Sequence, residues 1–87
     1  MQLDIFTPDR KVFSGEVKLV RVPGTKSPFE ILHNHAPIIS TLSPGKIKVV
    51  SSDGTKTFFE VMSDGVVEVK KNTIVILAEK LVPLKDE

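Results

Sequence analysis

Residues 20–50, reading VRVPGTKSPFEILHNHAPIISTLSPGKIKVV, constrain the fold more than any other part of the chain. Two Pro-Gly pairs, Pro23-Gly24 and Pro44-Gly45, each predict a tight turn, because proline fixes φ and glycine accepts a positive φ. Between them lie two short apolar runs, residues 29–32 and 38–42, each too short to stand as an independent helix. A chain punctuated this densely is built from short strands and turns.

The flanking segments carry the matching signal. Leu3 and Ile5 alternate with Gln2 and Asp4; Ile47 and Val49 with Lys46 and Lys48; Val67 and Val69 with Glu68 and Lys70; and Phe59 and Val61 lie opposite Glu60. Each is the period of two of a half-buried strand. Residues 73–78 are apolar on both parities and predict a strand covered on both faces. Asp53-Gly54 predicts a two-residue hairpin between strands at 46–51 and 56–62. Ser63-Asp64-Gly65 and Lys71-Asn72 predict further hairpin turns. Residues 16–22 break the alternation, which predicts a bulge near Leu19-Val20 or a strand passing from one sheet to another. Helical spacing occurs only at 78–84, where Pro83 argues against a helix. The fold class expected is all-β, a two-sheet antiparallel sandwich of about ten short strands. Its core should hold Leu3, Ile5, Val17, Leu32, Ile47, Val49, Phe59, Val61, Val67, Val69, Ile74 and Ile76.

Eighty-seven residues make one domain, 1–87. A net charge of +1 offers no electrostatic case for nucleic acid or a membrane surface. The absence of cysteine excludes a disulfide framework and thiol chemistry. The start, MQLDIFTPDR, lacks a signal-peptide layout, and no apolar run approaches membrane-spanning length. No direct membrane insertion is expected, so any membrane association must go through another protein.

Candidate chemistry is sparse. His33 and His35 would share one side of a strand, but no cysteine or suitably spaced acid completes a metal site. Gly45-Lys46 lacks both the upstream glycine and the Ser/Thr of a phosphate loop. Asp53, Asp64 and Glu68 read as solvated acids, and no nucleophile elbow occurs. Lys46, Lys48 and Lys56 with Phe58 and Phe59 hint at an oligonucleotide groove, yet Phe59 has core parity and nearby acids cancel the charge. No catalytic residue, metal or cofactor is expected, and the chain reads as a non-enzyme. The functional hint is apolar: Phe6, Phe58, Met62 and Val66 take outward parity and predict one continuous patch for a protein partner.

The order of parts resembles the epsilon subunit of bacterial F-type ATP synthases, in its amino-terminal domain. The resemblance rests on Phe6-Thr7-Pro8, Val12-Phe13-Ser14-Gly15-Glu16-Val17, Pro23-Gly24, His35-Ala36-Pro37, Pro44-Gly45, Ser63-Asp64-Gly65 and Asn72 with Val75-Ile76-Leu77-Ala78. Ser27-Pro28 stands where the family often has Gly-Glu, His33-Asn34 where it often has Pro-Gly, and Asp64 for a glycine. Asn and Asp tolerate left-handed backbone, so these turns should survive. The resemblance implies a non-catalytic rotor subunit linking the gamma subunit to the polar loops of the membrane c-ring, for proton- or sodium-driven ATP synthesis. It puts Thr7, His35 and Ser40 on the gamma side, to which the apolar reading adds Phe58. It turns the loop of Thr25, Lys26, Ser27 and Pro28 toward the ring. It also implies a peripheral position on the cytoplasmic face of the bacterial inner membrane. Family members usually continue into a helical hairpin tied to inhibition of ATP hydrolysis and to ATP binding; this sequence stops at Glu87, so neither property is expected of it. The rival reading is a free-standing β-sandwich module with an unrelated partner, which co-purification with gamma would separate.

Overall fold

The period-two segments become nine strands in the computed structural model, which describes residues 1–84: β1 (Gln2–Phe6), β2 (Lys11–Val22), β3 (Phe29–Leu32), β4 (Ile38–Leu42), β5 (Gly45–Ser51), β6 (Lys56–Val61), β7 (Gly65–Lys70), β8 (Thr73–Ala78) and β9 (Leu81–Leu84). They form two layers. The first runs β4-β7-β8-β1 and ends on the first half of β2; the second runs β3, the second half of β2, β5, β6 and β9. Strand β2 thus belongs to both layers. Its register against β5 slips between Val17 and Leu19, and at that point the strand leaves the first sheet for the second. The broken alternation of residues 16–22 has this cause, one to two residues earlier than the sequence placed it.

One pairing departs from the antiparallel expectation. β1 lies parallel to β8, with Gln2 opposite Thr73 and Phe6 opposite Leu77, while every other strand pair is antiparallel. Residues 78–84 give no helix: Leu81–Leu84 is an edge strand on β6, a position in which Pro83 can point its missing N–H outward.

The core is wholly apolar among the described residues, with no buried polar or charged side chain. Eleven of the twelve expected core residues are buried; Leu32 is 50% exposed, and Ile31 is buried in its place. β3 therefore faces inward one residue out of phase with the expectation, which inverts every side chain of the strand. Val20, Val22, Leu42, Ala78 and Leu81 complete the core, and Phe13 meets Phe59 edge to face at 6.0 Å.

The Pro-Gly pairs are not the tight turns the sequence predicts: Gly24 lies in an extended bridge to Leu42 and Gly45 opens β5, so their glycines are needed for a reason other than positive φ. Neither Gly24 nor Gly45 has one; among glycines only Gly54 does, at 92°. Close approach excludes a side chain instead. A Cβ on Gly24 would lie 2.6 Å from the Ser27 carbonyl oxygen and 2.8 Å from the Phe29 ring, and one on Gly45 would lie 2.9 Å from Pro23. The Ser43 N–H donates to the Pro23 carbonyl and the Thr25 N–H to that of Thr41, which ties the two segments together.

Three connections are informative. Lys71 and Asn72 both take positive φ, 51° and 59°, forming the two-residue primed turn that closes β7 and β8. The Asp53-Gly54 loop has three residues, not two: the Ser51 N–H donates to the Thr55 carbonyl, and Gly54 takes the left-handed position. Residues 62–64 are no hairpin; they carry the chain from β6 in the second layer to β7 in the first. They are laced to the return crossover at Lys80, whose N–H donates to Ser63 Oγ and whose carbonyl accepts from Met62.

Candidate interaction surface

The first sheet has a solvent face set by parity. Registration places Phe6, Leu77, Val66 and Thr41 in one row across its four paired strands, and Asp4, Val75, Glu68 and Ile39 in the next. Three strand intervals span about 14 Å. Five of these side chains are apolar. Ile39 is 71% exposed and Leu77 46%, while Phe6, Val66 and Val75 are half-buried. β8 is therefore covered on one face only: Ile74, Ile76 and Ala78 are buried, and Val75 and Leu77 look outward. The apolar run on both parities marks an uncovered face rather than a doubly covered strand.

The rim is polar and fixed. Lys11 reaches Asp4 at 3.7 Å and lies 5.5 Å over the Phe6 ring. A hydrogen bond from Ser14, helped by Lys11, holds the Asp4 carboxyl below the usual carboxylate range, so Asp4 stays charged beside the apolar row. Polar groups around a central apolar row are the anatomy of a protein-binding patch.

The predicted patch is not continuous. Phe6 and Val66 share the first sheet's outer face, but Phe58 lies opposite Lys48 and Leu84 on the second layer, with Lys46 Nζ 5.4 Å over its ring. Met62 is exposed in the crossover between layers. The other candidate positions scatter too. Thr7 sits in the turn after β1, its N–H donating to the Arg10 carbonyl. His35 lies in the turn after β3, near the opposite end of β1, its ring centroid 6.4 Å from that of Phe29. Strand β1 separates those two ends by about 17 Å. Ser40 is half-buried on β4, opposite Val67, and its hydroxyl donates to the Thr41 carbonyl. Thr25, Lys26 and Ser27 border an open groove of about 470 Å³ along β4, shared with Ser40 and Thr41. Of the gamma-side positions inferred from resemblance, only Ser40 lines this groove with the ring-side Thr25, Lys26 and Ser27.

His33 and His35 fall in a turn, not on a strand, and no three His, Cys, Asp or Glu side chains converge among the described residues. Asn34 takes φ 64°, as expected for an Asn in place of Gly; Asp64 does not take positive φ. The Asn34 N–H donates to Asn72 Oδ1 at 2.8 Å, and Asn72 Nδ2 donates to Asn34 Oδ1 at 3.2 Å. Two left-handed asparagines thus latch the β3–β4 turn onto the β7–β8 turn, a contact between residues 38 apart that no local pattern signals.

The family profile described as ATP synthase, Delta/Epsilon chain, beta-sandwich domain matches residues 1–84. The chain belongs to this family. It is 37% identical over 86 residues to the ATP synthase epsilon chain of Parvibaculum lavamentivorans, covering 99% of this chain and 64% of that one. It is 42% identical over 77 residues to the epsilon chain of Pelotomaculum thermopropionicum, covering 88% and 56%. The chain thus spans somewhat under two thirds of the length of these relatives. Among solved structures, a chain of the Euglena gracilis mitochondrial ATP synthase (OSCP/F1/c-ring, rotational state 1) superposes with a TM-score of 0.85 at 22% identity, covering 93% of this chain and 51% of that one. A chain of the Tetrahymena thermophila mitochondrial ATP synthase central stalk and c-ring superposes with a TM-score of 0.75 at 20% identity, covering 93% and 64%. These two establish the shared sandwich fold.

Sequence reasoning found Phe6 and Val66 on the epsilon-type domain's outer face but missed Ile39, Val75 and Leu77. A signal was present: on β8, unlike the alternating strands, both parities are apolar, so in a single layer one of them faces outward.

Proposed function

We propose that this epsilon-type domain is a non-catalytic rotor part of an F-type ATP synthase, fixing the gamma subunit to the polar loops of the c-ring. The observation that carries the reading is the apolar row on the first sheet, within a fold matched over its full described length by the family profile. Gamma would cover Phe6, Val66, Val75, Leu77 and Ile39, with Thr7 at one end of the face. Phe58, on the other layer, takes no part in that contact. Loop 25–28 would meet the ring through backbone and small polar groups. Lys26 and Glu30 would supply a weak electrostatic component, because both are exposed. The position would be peripheral, on the cytoplasmic face of the bacterial inner membrane.

Gamma capture by Leu77→Asp and Phe58→Asp variants tests the assignment. Leu77→Asp should weaken capture by about tenfold or more, since central interface side chains carry a few kcal/mol. Phe58→Asp should leave it unchanged. Loss with Phe58→Asp and retention with Leu77→Asp would move gamma to the second layer. For the ring, a cysteine at Ser27 should cross-link to one in the ring's polar loop; no cross-link from any position between 25 and 30 would remove that contact.

A further inference from the structure

Glu68 reads in sequence as an ordinary solvated acid, but the fold gives it a particular setting. On β7 it stands opposite Val75 of β8 on one side and Ile39 of β4 on the other. Val66 lies two residues along the same face of β7. Leu77 pairs with Val66 and so sits diagonally from Glu68, within reach of a long side chain. Glu68 is thus a charge framed by Val66, Val75, Leu77 and Ile39, the apolar side chains of the first sheet's outer face.

The two acids in this row meet different fates. Asp4 lies two strand intervals from Glu68, about 10 Å away. Its charge is answered within the chain, by Lys11 at 3.7 Å and by Gln2 Nε2, which donates to Asp4 Oδ1 at 3.4 Å. Glu68 forms no ion pair among the described residues, even with Lys70, its neighbour two residues along the strand. In the isolated chain Glu68 is exposed, so water solvates its carboxylate.

Covering the face removes that water. A partner that buries Val66, Val75, Leu77 and Ile39 also closes over the carboxylate in their midst, and none of those side chains can donate a hydrogen bond to it. A carboxylate buried with no opposite charge costs far more than an apolar side chain in the same place. From this enclosure and the missing internal counter-ion, we infer that gamma sets a cationic side chain, Arg or Lys, against Glu68. The inference rests on the assignment of gamma to the first sheet. Apolar contacts alone allow a partner to slide along the row, whereas one charge pair among them fixes a single register and rejects partners lacking the cation. Glu68 is therefore the specificity-determining residue of the face.

The sign of the effect of Glu68→Gln on gamma affinity decides the matter. With a cation opposite, Glu68→Gln should weaken binding by about tenfold and Glu68→Lys by about a hundredfold or more. Without one, Glu68→Gln relieves a desolvated charge, so equal or tighter binding would overturn the inference. Glu60→Gln, on the outer face of the second layer opposite Lys46, should leave binding unchanged. A loss there as large as that of Glu68→Gln would make the effect one of net charge and remove the pair. Among gamma variants that each reverse one Arg or Lys to Glu, at least one should restore binding to Glu68→Lys, and a complete set without rescue would sink the proposal. Glu68 is exposed in the free chain, so its variants should keep the sheet fold, which a far-ultraviolet spectrum checks. Leu77→Asp separates the two levels of failure. If Leu77→Asp binds gamma normally, the docking face itself is wrong and the pair falls with it. If Leu77→Asp weakens binding and Glu68→Gln does not, the face stands and only the charge pair is lost.

Discussion

Replacing Gly24 and Gly15 by alanine separates two reasons for a glycine. Both have negative or extended φ, so neither substitution meets a left-handed backbone penalty. At Gly15 the new Cβ would sit 3.5 Å from the Phe13 ring, an ordinary contact. Only the entropy of the unfolded chain then changes, and Gly15→Ala should be neutral or stabilising by about 0.4–1 kcal/mol. At Gly24 the Cβ would meet the Ser27 carbonyl oxygen at 2.6 Å and two Phe29 ring atoms at 2.8 and 2.9 Å. Relief requires loop 25–28 and the Phe29 ring to retreat by several tenths of an ångström. That movement strains the Thr25–Thr41 and Ser43–Pro23 bonds, which join the two layers beside β4. Overpacking of this kind costs about 1–3 kcal/mol, and the entropy gain offsets less than 1. The net loss should be about 1–2 kcal/mol, or roughly 4–16 °C in Tm for a domain of this size. Urea denaturation of both variants, followed by circular dichroism, measures the difference. Equal midpoints for Gly24→Ala and Gly15→Ala would refute the close-approach account. In the double variant Phe29→Ala/Gly24→Ala, the two substitutions should cost less than their sum, because the ring contacts are gone while the Ser27 contact remains.

Four further outcomes follow from the same geometry. Ile74→Ala and Ile76→Ala, each fully buried, should cost about 2–5 kcal/mol in denaturant melts, whereas Leu77→Ala on the open face should cost well under 1. Asn34→Ala and Asn72→Ala should show a coupling of roughly 0.5–1 kcal/mol in a double-mutant cycle, and Asn72→Gly should be milder than Asn72→Ala because it keeps the positive φ. The folded pKa of Asp4 is lowered, so its contribution to stability is present above the unfolded carboxylate pKa and is lost as pH falls through the folded value. Ser14→Ala should raise the Asp4 titration midpoint followed by carboxyl NMR, and an unmoved midpoint would remove Ser14 as the main cause.

Strand positions and most of the core were legible because a half-buried strand writes its orientation every second residue. Leu3, Ile47 and Val69 each sit between polar neighbours, and Ile5, Val49 and Val67 keep the same phase two residues away, so only one phase fits. Residues 29–32 offer Phe29, Ile31 and Leu32 with only Glu30 as a marker. The inward phase there was decided by pairing with β2, where Val20 meets Ile31, and that long-range contact is not written locally. Gly24 and Gly45 read in sequence as turn glycines, whereas both are extended, and the crowding by Ser27, Phe29 and Pro23 that excludes a side chain exists only after the chain folds back on itself. The interaction surface was half visible. Parity identified outward apolar residues on each strand, but the assignment of strands to layers, which parts Phe58 from Phe6, depends on the crossovers at 62–64 and 79–80. The first reads in sequence as an ordinary hairpin turn, and the second falls in a stretch whose one local signal is a helical spacing.

The parallel contact of β1 with β8 has a consequence for how the chain is made. Residues 2–6 leave the ribosome about 70 residues ahead of their partners at 73–77. Until then β1 can pair only with β2, and its other edge stays open. The second layer is less dependent on late synthesis, since β2, β3, β5 and β6 pair among themselves within residues 17–61. Synthesis should therefore produce one sheet early and leave the other waiting. A pairing that spans about 70 residues is slow to find, because loop closure must be completed before the contact is formed. A nascent chain halted before β8 would present an unpaired β1 edge to its surroundings, which makes ribosome stalling ahead of β8 the step at which this domain is most exposed to aggregation.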